Sequence, residues 1–244
     1  MKEEIIIGRN AVLEAINSDT NIDKILIQEG ATGSIKKIIS NAKQKKITIY
    51  TRDKASLDRL VDGGMHQGVV AYTTSFKYAT VEDIVGDAQA SDQDGIIVIL
   101  DGIEDPHNLG AIIRSAECAG VNGVIIPERR SASVNATVAR TSVGAVAHMK
   151  VARVTNISNT IDELKDKGYW IFGCDMGEQM YYEADMTGNV AIIIGNEGSG
   201  ISKRVREKCD FIISMPVLGK VDSLNASNAA AIAIYEALRQ RECK

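Results

Sequence analysis

The second half of the chain contains uninterrupted apolar runs of strand length, separated by segments with helical periodicity. Ile96–Leu100 and Val190–Ile194 are apolar throughout. Continuous runs of this kind are typical of parallel strands that are covered on both faces, whereas strands with one solvated face alternate. Four further strands are predicted, at Val121–Ile126, Lys150–Val154, Trp170–Cys174 and Phe211–Met215.

Helical patterns lie between these strands. Leu109, Ile112, Ile113 and Ala116 form one apolar stripe, and two more helices are predicted over 157–167 and 225–241. Strands that alternate with helices in this way predict an α/β fold built on a parallel sheet.

Residues 1–75 predict a smaller α/β domain of their own. Its predicted strands lie at 24–27, 47–50 and 68–72, and its helices at 10–17, 34–45 and 54–61. Ser91–Gly95 is polar and turn-forming, so we expect a linker over 76–94 that includes a short helix capped by Thr80. The larger domain then spans 95–244.

Composition excludes several classes of protein. Of the 244 residues, 45% are hydrophobic and 25% charged, which is an ordinary globular balance and argues against a disordered chain. No apolar run reaches the length of a membrane span, and the first residues lack the features of a signal peptide, so we expect a cytoplasmic protein. The four cysteines and three histidines are widely spaced, so no metal site is predicted.

The charge is unevenly distributed along the chain. The net charge is −4, but residues 1–75 hold 11 lysines and arginines against 9 aspartates and glutamates. Five lysines fall between residues 36 and 46. This run is either a solvated helix face or a patch that contacts phosphates, and both interpretations stay open at this point.

Three loops that follow predicted strands carry unusual polar residues, and functional residues of open α/β sheets lie at such strand ends. The loop after Leu100 leads to Asn108 and Arg114, and Asn108 is either a helix cap or a functional side chain. Gly195–Gly200 is rich in glycine but matches neither the P-loop nor the dinucleotide fingerprint. In the third loop one residue must cap the last helix, and the others are free to bind a ligand. Its polar residues are Ser223, Asn225, Ser227 and Asn228.

Together these loops resemble the SpoU (TrmH-type) family of ribose 2′-O-methyltransferases, within the SPOUT superfamily. The first segment is also similar to the substrate-binding domain of that family, at Gly8–Val12 and His66–Ala71. The matching stretches of the larger domain are Asn108-x-Gly110-Ala111-x-x-Arg114, Ile194-Gly195-Asn196-Glu197-Gly198-x-Gly200, Ile213-x-Met215-Pro216 and Ser223-Leu224-Asn225-x-Ser227.

The resemblance implies a fold and a cofactor. The fold is a parallel sheet whose C-terminal segment is threaded into a trefoil knot, preceded by a small α/β domain of the L30e-like ribosomal-protein type. The cofactor is S-adenosylmethionine, and the resemblance implies that the backbone of Gly195, Met215 and Leu224 holds it. It also implies a homodimer.

The resemblance further implies a catalytic cluster and a substrate. The residues that match the family's catalytic positions are Asn108, Arg114, Glu197, Ser223 and Asn225. Arginine is a difficult general base because its side chain stays protonated in proteins, so Arg114 is either that base or a clamp for the target phosphate. The expected substrate is a guanosine ribose in large-subunit ribosomal RNA, contacted by Arg9, Lys36 and Lys37.

An unrelated small-nucleotide-binding α/β protein fits only if the three loop matches are chance, and two alternatives with the same fold are kept. The same chemistry on transfer RNA is one, although the chain lacks the short basic extensions of some transfer-RNA enzymes. The other is a non-catalytic RNA-binding protein with the same fold, against which the complete set of catalytic positions argues.

Overall fold

The computed structural model describes residues 3–18, 20, 22–45, 47–61, 64–74, 76–91 and 93–242. The chain forms two compact units, an N-terminal one that ends at Lys77 and also includes Ser133–Ala136, and a C-terminal one that begins at Tyr78. No helix within these described ranges is both long and apolar enough to cross a membrane.

The N-terminal unit is a four-stranded sheet with helices on its faces. Its sheet order is β1-β4-β2-β3, in which β4 runs antiparallel to β1 and β2, and β2 runs parallel to β3. The elements are β1 (Glu3–Ile7), α1 (Arg9–Asn17), β2 (Ile22–Gln28), α2 (Ile35–Gln44), β3 (Thr48–Arg52), α3 (Lys54–Leu60) and β4 (Val69–Thr74).

Apolar side chains at helical spacing place the helices of this unit on its sheet. Val12 and Ile16 of α1, together with Ile35 and Ile38 of α2, pack in one cluster with β2 and β4. Leu57 of α3 packs in a second cluster with β2 and β4. The small α/β domain predicted from the sequence is therefore confirmed as a fold.

The C-terminal unit is a six-stranded sheet in which every strand pair is parallel. Its strand order is β10-β8-β9-β5-β6-β7. The strands are β5 (Ile96–Asp101), β6 (Gly123–Pro127), β7 (Val151–Val154), β8 (Trp170–Met180), β9 (Val190–Gly195) and β10 (Phe211–Ser214). The helices are α4 (Val81–Ala90), α5 (Pro106–Cys118), α6 (Ala136–Thr141), α7 (Ile157–Asp166), α8 (Lys203–Arg206) and α9 (Ala226–Glu242), with 3-10 turns at Ala145–Ala147 and Tyr181–Glu183.

The apolar runs in the sequence correspond to the central strands. Every residue of β9 is buried, and β5 is buried except at Asp101, because helices cover both faces of the sheet. The predicted parallel α/β architecture is confirmed, and β8 extends six residues beyond its predicted end at Cys174. The trefoil knot stays a prediction from the resemblance.

Helix α4 differs from the linker predicted over 76–94. Thr80 caps the helix as expected, with its side chain and that of Asp83 forming a capping box. Ile84 and Val85 are buried in the core of the C-terminal unit. The helix is therefore part of that unit rather than a connection, since burial of its apolar face stabilises it there.

The sheet order determines which loops are neighbours. Asp101, the last residue of β5, pairs in register with Gly195, the last residue of β9. The loop that leads into α5 and the glycine-rich loop after β9 therefore begin side by side, at the carboxyl edge of the sheet.

Candidate active site

The first side chain of the site is that of Asn108, near the start of α5. Asp105 caps this helix, since its carboxylate accepts a hydrogen bond from the amide of His107 at 2.8 Å, and Pro106 occupies the first helical position. Asn108 is therefore not the cap, and the capping interpretation of this residue is wrong. Its side chain is buried in the first turn of the helix.

The second side chain of the site is that of Glu197, in the tight loop after β9. Asn196 and Gly200 exchange two backbone hydrogen bonds of 3.0 and 2.8 Å, which close the loop. The Asn196 side chain donates to the carbonyl of Gly102 at 2.8 Å and accepts from the amide of Gly198 at 2.9 Å. This bracing fixes the position of Glu197, the next residue along the chain.

The third side chain lies at the start of α9. Asn225 precedes the helix, and its Oδ1 accepts from the amide of Ser227 at 2.9 Å and from the hydroxyl of Ser227 at 2.6 Å. Asn225 is thus the cap of the last helix. Because Oδ1 is used by the helix, the amide nitrogen Nδ2 points to the other side and is available to the site.

These three side chains meet at one carboxylate oxygen. Oε1 of Glu197 accepts hydrogen bonds from Nδ2 of Asn108 at 2.8 Å and from Nδ2 of Asn225 at 2.5 Å. The backbone amide of Ala226 also donates to Oε1, at 3.5 Å, and Nδ2 of Asn225 is 3.0 Å from Oδ1 of Asn108. Hydrogen bonds to an ionised acceptor are among the strongest in proteins, so this cluster ties the starts of α5 and α9 to the β9 loop.

Two of the predicted catalytic residues lie outside this hydrogen-bonded cluster. Arg114 is exposed on α5, about 120° around the helix axis from Asn108, and no hydrogen bond or ion pair joins it to another described residue. Ser223 is also exposed, with no hydrogen-bond partner in the described part of the chain. The structure therefore brings together Asn108, Glu197 and Asn225, and leaves Arg114 and Ser223 free at its surface.

The predicted cofactor residues lie on the loops around this cluster. Gly195 ends β9, Met215 follows β10, and Leu224 precedes the cap of α9. Among the described residues, no backbone hydrogen bond engages the peptide groups of 216–224. Leu218 is 98% exposed and Leu224 40% exposed. Unpaired peptide groups beside exposed apolar side chains fit a ligand with a polar edge and apolar faces, as the adenosine of S-adenosylmethionine has.

Gly195 cannot carry a side chain, and this gives a prediction. A Cβ at Gly195 would lie 2.3 Å from the carbonyl carbon of Gly200 and 2.4 Å from the amide nitrogen of Ile201, both of them backbone atoms. We expect Gly195→Ala to lower the free energy of unfolding by about 1–3 kcal/mol, because the loop must open to admit the methyl group.

Gly198→Ala is the matched control for that measurement. A Cβ there meets only Oδ1 of Asn196, at an ordinary 3.6 Å, so its effect is expected to stay below about 1 kcal/mol. Urea denaturation of both variants measures the difference. Equal stabilities would show that the loop is not closed as described.

Two residues that shape the site had no predicted role of their own in the sequence. Oδ2 of Asp101 accepts from the amide of Ser202 at 2.7 Å and so holds the far end of the glycine-rich segment. Gly110 lies where α5 passes close to α6, since a Cβ there would be 2.7 Å from Cβ of Thr141. Both roles depend on contacts between residues that are distant along the chain, and the spacing of residues in the sequence does not predict such contacts.

The predicted RNA contacts belong to the N-terminal unit. The side chain of Arg9 donates to the carbonyl of Gln67 at 2.9 Å, and its backbone amide to Oε1 of Gln67 at 3.1 Å. Lys36 and Lys37 are exposed in the first turn of α2. Arg9 is thus anchored to the loop that precedes β4, whereas the side chains of the two lysines extend into solvent.

Two cysteine thiols of the C-terminal unit have raised pKa values. Burial raises the pKa of Cys174 to about 12 and that of Cys209 to about 11, so neither thiol ionises readily to a nucleophilic thiolate. Within the described ranges, no group of three or more His, Cys, Asp or Glu side chains is arranged to hold a metal ion.

Comparison with known proteins extends over both units. Residues 95–235 match the SpoU rRNA Methylase family, and residues 5–79 match a domain described as RNA 2′-O ribose methyltransferase substrate binding. A Staphylococcus saprophyticus protein assigned to the TrmH family of tRNA/rRNA methyltransferases is 48% identical over 243 residues, covering 99% of this chain and 97% of that protein. A Staphylococcus aureus protein with the same assignment is 47% identical over 245 residues, covering 99% and 98%.

Solved structures agree with these matches. The SpoU methyltransferase AviRb from Streptomyces viridochromogenes, crystallised with the cofactor AdoMet, has a TM-score of 0.64 and 25% identity. It covers 99% of this chain, and this chain covers 92% of it. The TrmH/SpoU tRNA modifying enzyme of A. aeolicus is 30% identical with a TM-score of 0.56, covering 62% of this chain and 77% of that enzyme. On the match of both units and the identity to these relatives, the chain belongs to the SpoU family of RNA 2′-O-ribose methyltransferases.

Proposed function

We propose that this protein transfers the methyl group of S-adenosylmethionine to the ribose 2′-hydroxyl of a guanosine in large-subunit ribosomal RNA. The observation that carries the proposal is the hydrogen-bonded cluster of Asn108, Glu197 and Asn225, next to the loop at Gly195. S-adenosylmethionine, when bound, supplies a methyl group that is electrophilic because it is attached to a positively charged sulfur.

The protein's own residues are proposed to position the hydroxyl. Oε1 of Glu197 is occupied by three donors, whereas Oε2 has no hydrogen bond within the described residues. Oε2 is therefore the oxygen that accepts a hydrogen bond from the ribose in this proposal. Holding a reacting group in the productive orientation accounts for several kcal/mol of a barrier, on the order of 7–11 in the best cases.

Arg114 is proposed to bind the target phosphate and to stabilise the negative charge that develops on the hydroxyl oxygen as its proton is released to solvent. An exposed guanidinium with no partner among the described residues suits this role, because its donors match phosphate oxygens in pairs. Ser223, which also has no hydrogen-bond partner in the described ranges, is proposed to orient the ribose together with Asn108, Glu197 and Asn225.

The choice of ribosomal over transfer RNA rests on the N-terminal unit. The match to the A. aeolicus tRNA modifying enzyme covers 62% of this chain, so it does not extend across both units in full. The relatives that match 99% of the chain are assigned to tRNA/rRNA methyltransferases without a distinction between the two. A separate RNA-binding unit favours a large structured substrate, on which contacts away from the methylated nucleotide are available.

The lysines of α2 are proposed to contact RNA phosphates. Lys36→Glu combined with Lys37→Glu should weaken RNA binding about tenfold or more at moderate salt, since each removed ammonium group reduces counterion release and each new carboxylate repels the backbone. Cofactor affinity should not change, because the residues lie in the other unit. Fluorescence anisotropy with labelled RNA measures the effect, and Lys54→Glu on α3 is the matched control. Unchanged binding would identify the α2 lysines as a solvated helix face.

The protein is proposed to act as a homodimer. Residues 76–244 hold 17 lysines and arginines against 23 aspartates and glutamates, so one subunit offers RNA little positive charge. Analytical ultracentrifugation tests the state directly, and a monomer at micromolar concentration would contradict it.

The proposed reaction is tested with S-adenosylmethionine and unmodified large-subunit ribosomal RNA, followed by nucleoside mass spectrometry. New 2′-O-methylguanosine that disappears with Asn225→Ala is the expected result. Methylation of transfer RNA instead would overturn the substrate and keep the chemistry. Cofactor binding without transfer to either RNA would favour the non-catalytic RNA-binding alternative.

A further inference from the structure

A cleft of about 570 Å³ opens in the C-terminal unit at the carboxyl ends of β5, β6, β7 and β9. Three arginines line it, Arg129 and Arg130 after β6 and Arg204 on α8. No hydrogen bond or ion pair joins any of these guanidinium groups to another residue in the described part of the chain. None of the three belongs to the cluster around Glu197.

The described lining of this arginine cleft carries more positive than negative charge, since three arginines face two carboxylates. The acidic residues among the described lining are Asp101 and Glu104. Oδ2 of Asp101 accepts from the amide of Ser202, and Glu104 also has an interaction partner. Three arginines with no ion-pair partner among the described residues repel each other in one concavity, and they stand out because residues 76–244 have a negative net charge. A concave site with this charge attracts an anion.

The arginines are held in place by anchored backbone. The loop that carries Arg129 and Arg130 is fixed at both ends, since the amide of Glu128 donates to the carbonyl of Val154 at 2.9 Å and that of Ala132 to Ile103 at 2.7 Å. Arg130 has a φ of 57°, a conformation that residues with side chains rarely adopt. Such strain persists where surrounding structure enforces it, and it is concentrated at functional sites.

The arginine cleft lies directly beside the candidate active site. Asn196 lines the cleft, and its side chain donates to the carbonyl of Gly102 on the cleft wall. The next residue, Glu197, holds Asn108 and Asn225. One short loop therefore separates the arginines from the carboxylate that is proposed to hold the target ribose. A strand whose ribose reaches Glu197 carries its neighbouring phosphates past this loop.

We propose that the arginine cleft binds the phosphodiester backbone of the RNA strand next to the methylated nucleotide. The inference rests on the proposed function, because it places the same RNA strand at both sites. An RNA strand and a free nucleotide both carry phosphate groups that the arginines could bind. The experiment below distinguishes these two ligands. Continuity with the Glu197 loop favours the strand.

The experiment replaces Arg129, Arg130 and Arg204 by glutamine, singly and together, in the full-length protein. Each single change should raise the Kd of a labelled RNA about threefold to tenfold, and the triple change on the order of a hundredfold. The slope of log K against log salt concentration should fall by about 0.7 for each phosphate that the variant no longer neutralises. Lys203→Gln, an exposed neighbour of Arg204 on α8, is the matched control and should change neither quantity.

Further measurements distinguish the role from a folding effect. Arg130→Gly removes the same charge and relieves the positive φ, so it should weaken RNA binding as Arg130→Gln does while the protein stays folded. The affinity for S-adenosylmethionine and the kcat at saturating RNA should stay within about twofold of the unmodified protein, whereas KM for RNA rises.

Two results would overturn the inference. The first is that the triple variant binds RNA with the same affinity and the same salt dependence as the unmodified protein. The other is binding of guanosine monophosphate that the triple change abolishes while RNA binding is retained, which would assign the cleft to a free nucleotide. RNA binding is measured without methyl transfer, so a failure of the proposed reaction is recognised separately, by mass spectrometry of the unmodified protein's product.

Discussion

Arg114→Ala and Arg114→Lys are both expected to lose nearly all methyl transfer, by about a thousandfold or more in kcat. The guanidinium presents several donors in a fixed planar fork, which binds a phosphate or a developing alkoxide at two points, and the ammonium of lysine cannot reproduce this geometry. Preorganised donors of this kind typically contribute a factor of about 10² to 10³ each when they face developing charge.

Folding should be unaffected by these changes, and this makes the result interpretable. Arg114 is exposed and has no partner among the described residues, so its substitution should alter the free energy of unfolding by less than about 0.5 kcal/mol. Cys118→Ala, one turn further along the same exposed face of α5, is the control and should keep full turnover. Single-turnover kinetics with saturating RNA and cofactor measures the chemical step. A fully active Arg114→Lys variant would contradict the two-point role.

Glu197→Ala is expected to reduce kcat about a hundredfold, because it removes the one atom on which three donors converge. Without Oε1, Nδ2 of Asn108 loses its partner, and the start of α9 loses its attachment to the β9 loop. Misplacement of a catalytic group by about 1 Å is enough for a loss of this size.

Glu197→Gln separates the charge of this residue from its shape. The glutamine oxygen still accepts hydrogen bonds from both asparagines, but it does so without the negative charge that strengthens them. We therefore expect a turnover between that of Glu197→Ala and that of the unmodified protein.

The control for both variants is Glu163→Ala on the exposed face of α7, which should leave turnover unchanged. Thermal denaturation of each variant shows whether it is folded. Full activity of a folded Glu197→Ala protein would remove the cluster from the proposed mechanism.

Much of the architecture could be predicted because local patterns encode it. The runs at Ile96–Leu100 and Val190–Ile194 are apolar on both faces, as is typical of a strand buried between two layers of helices. The stripes of α5 and α7 are spaced for helices with one buried face, and both helices form where expected.

The sequence misleads where neighbours in space decide the outcome. Local patterns place the helix α4 in a linker, yet Ile84 and Val85 join the core of the C-terminal unit. Asn108 is a candidate cap by its residue type, but Asp105 satisfies the helix start three residues earlier and leaves Asn108 for the site. Local polarity indicates that some residue caps a helix, and backbone direction determines which one does.

By itself the sequence determined the elements, their α/β class and the three polar loops, because periodicity and residue type act over a few neighbouring positions. The family resemblance groups Asn108, Glu197 and Asn225. Only the tertiary structure decided that the two asparagines, 117 positions apart, donate to one oxygen of Glu197. It also decided that Arg129, Arg130 and Arg204 face one cleft. Which loops come close together depends on the order of the strands in the sheet. Because β9 lies between β8 and β5, the sheet brings together loops that are distant along the chain.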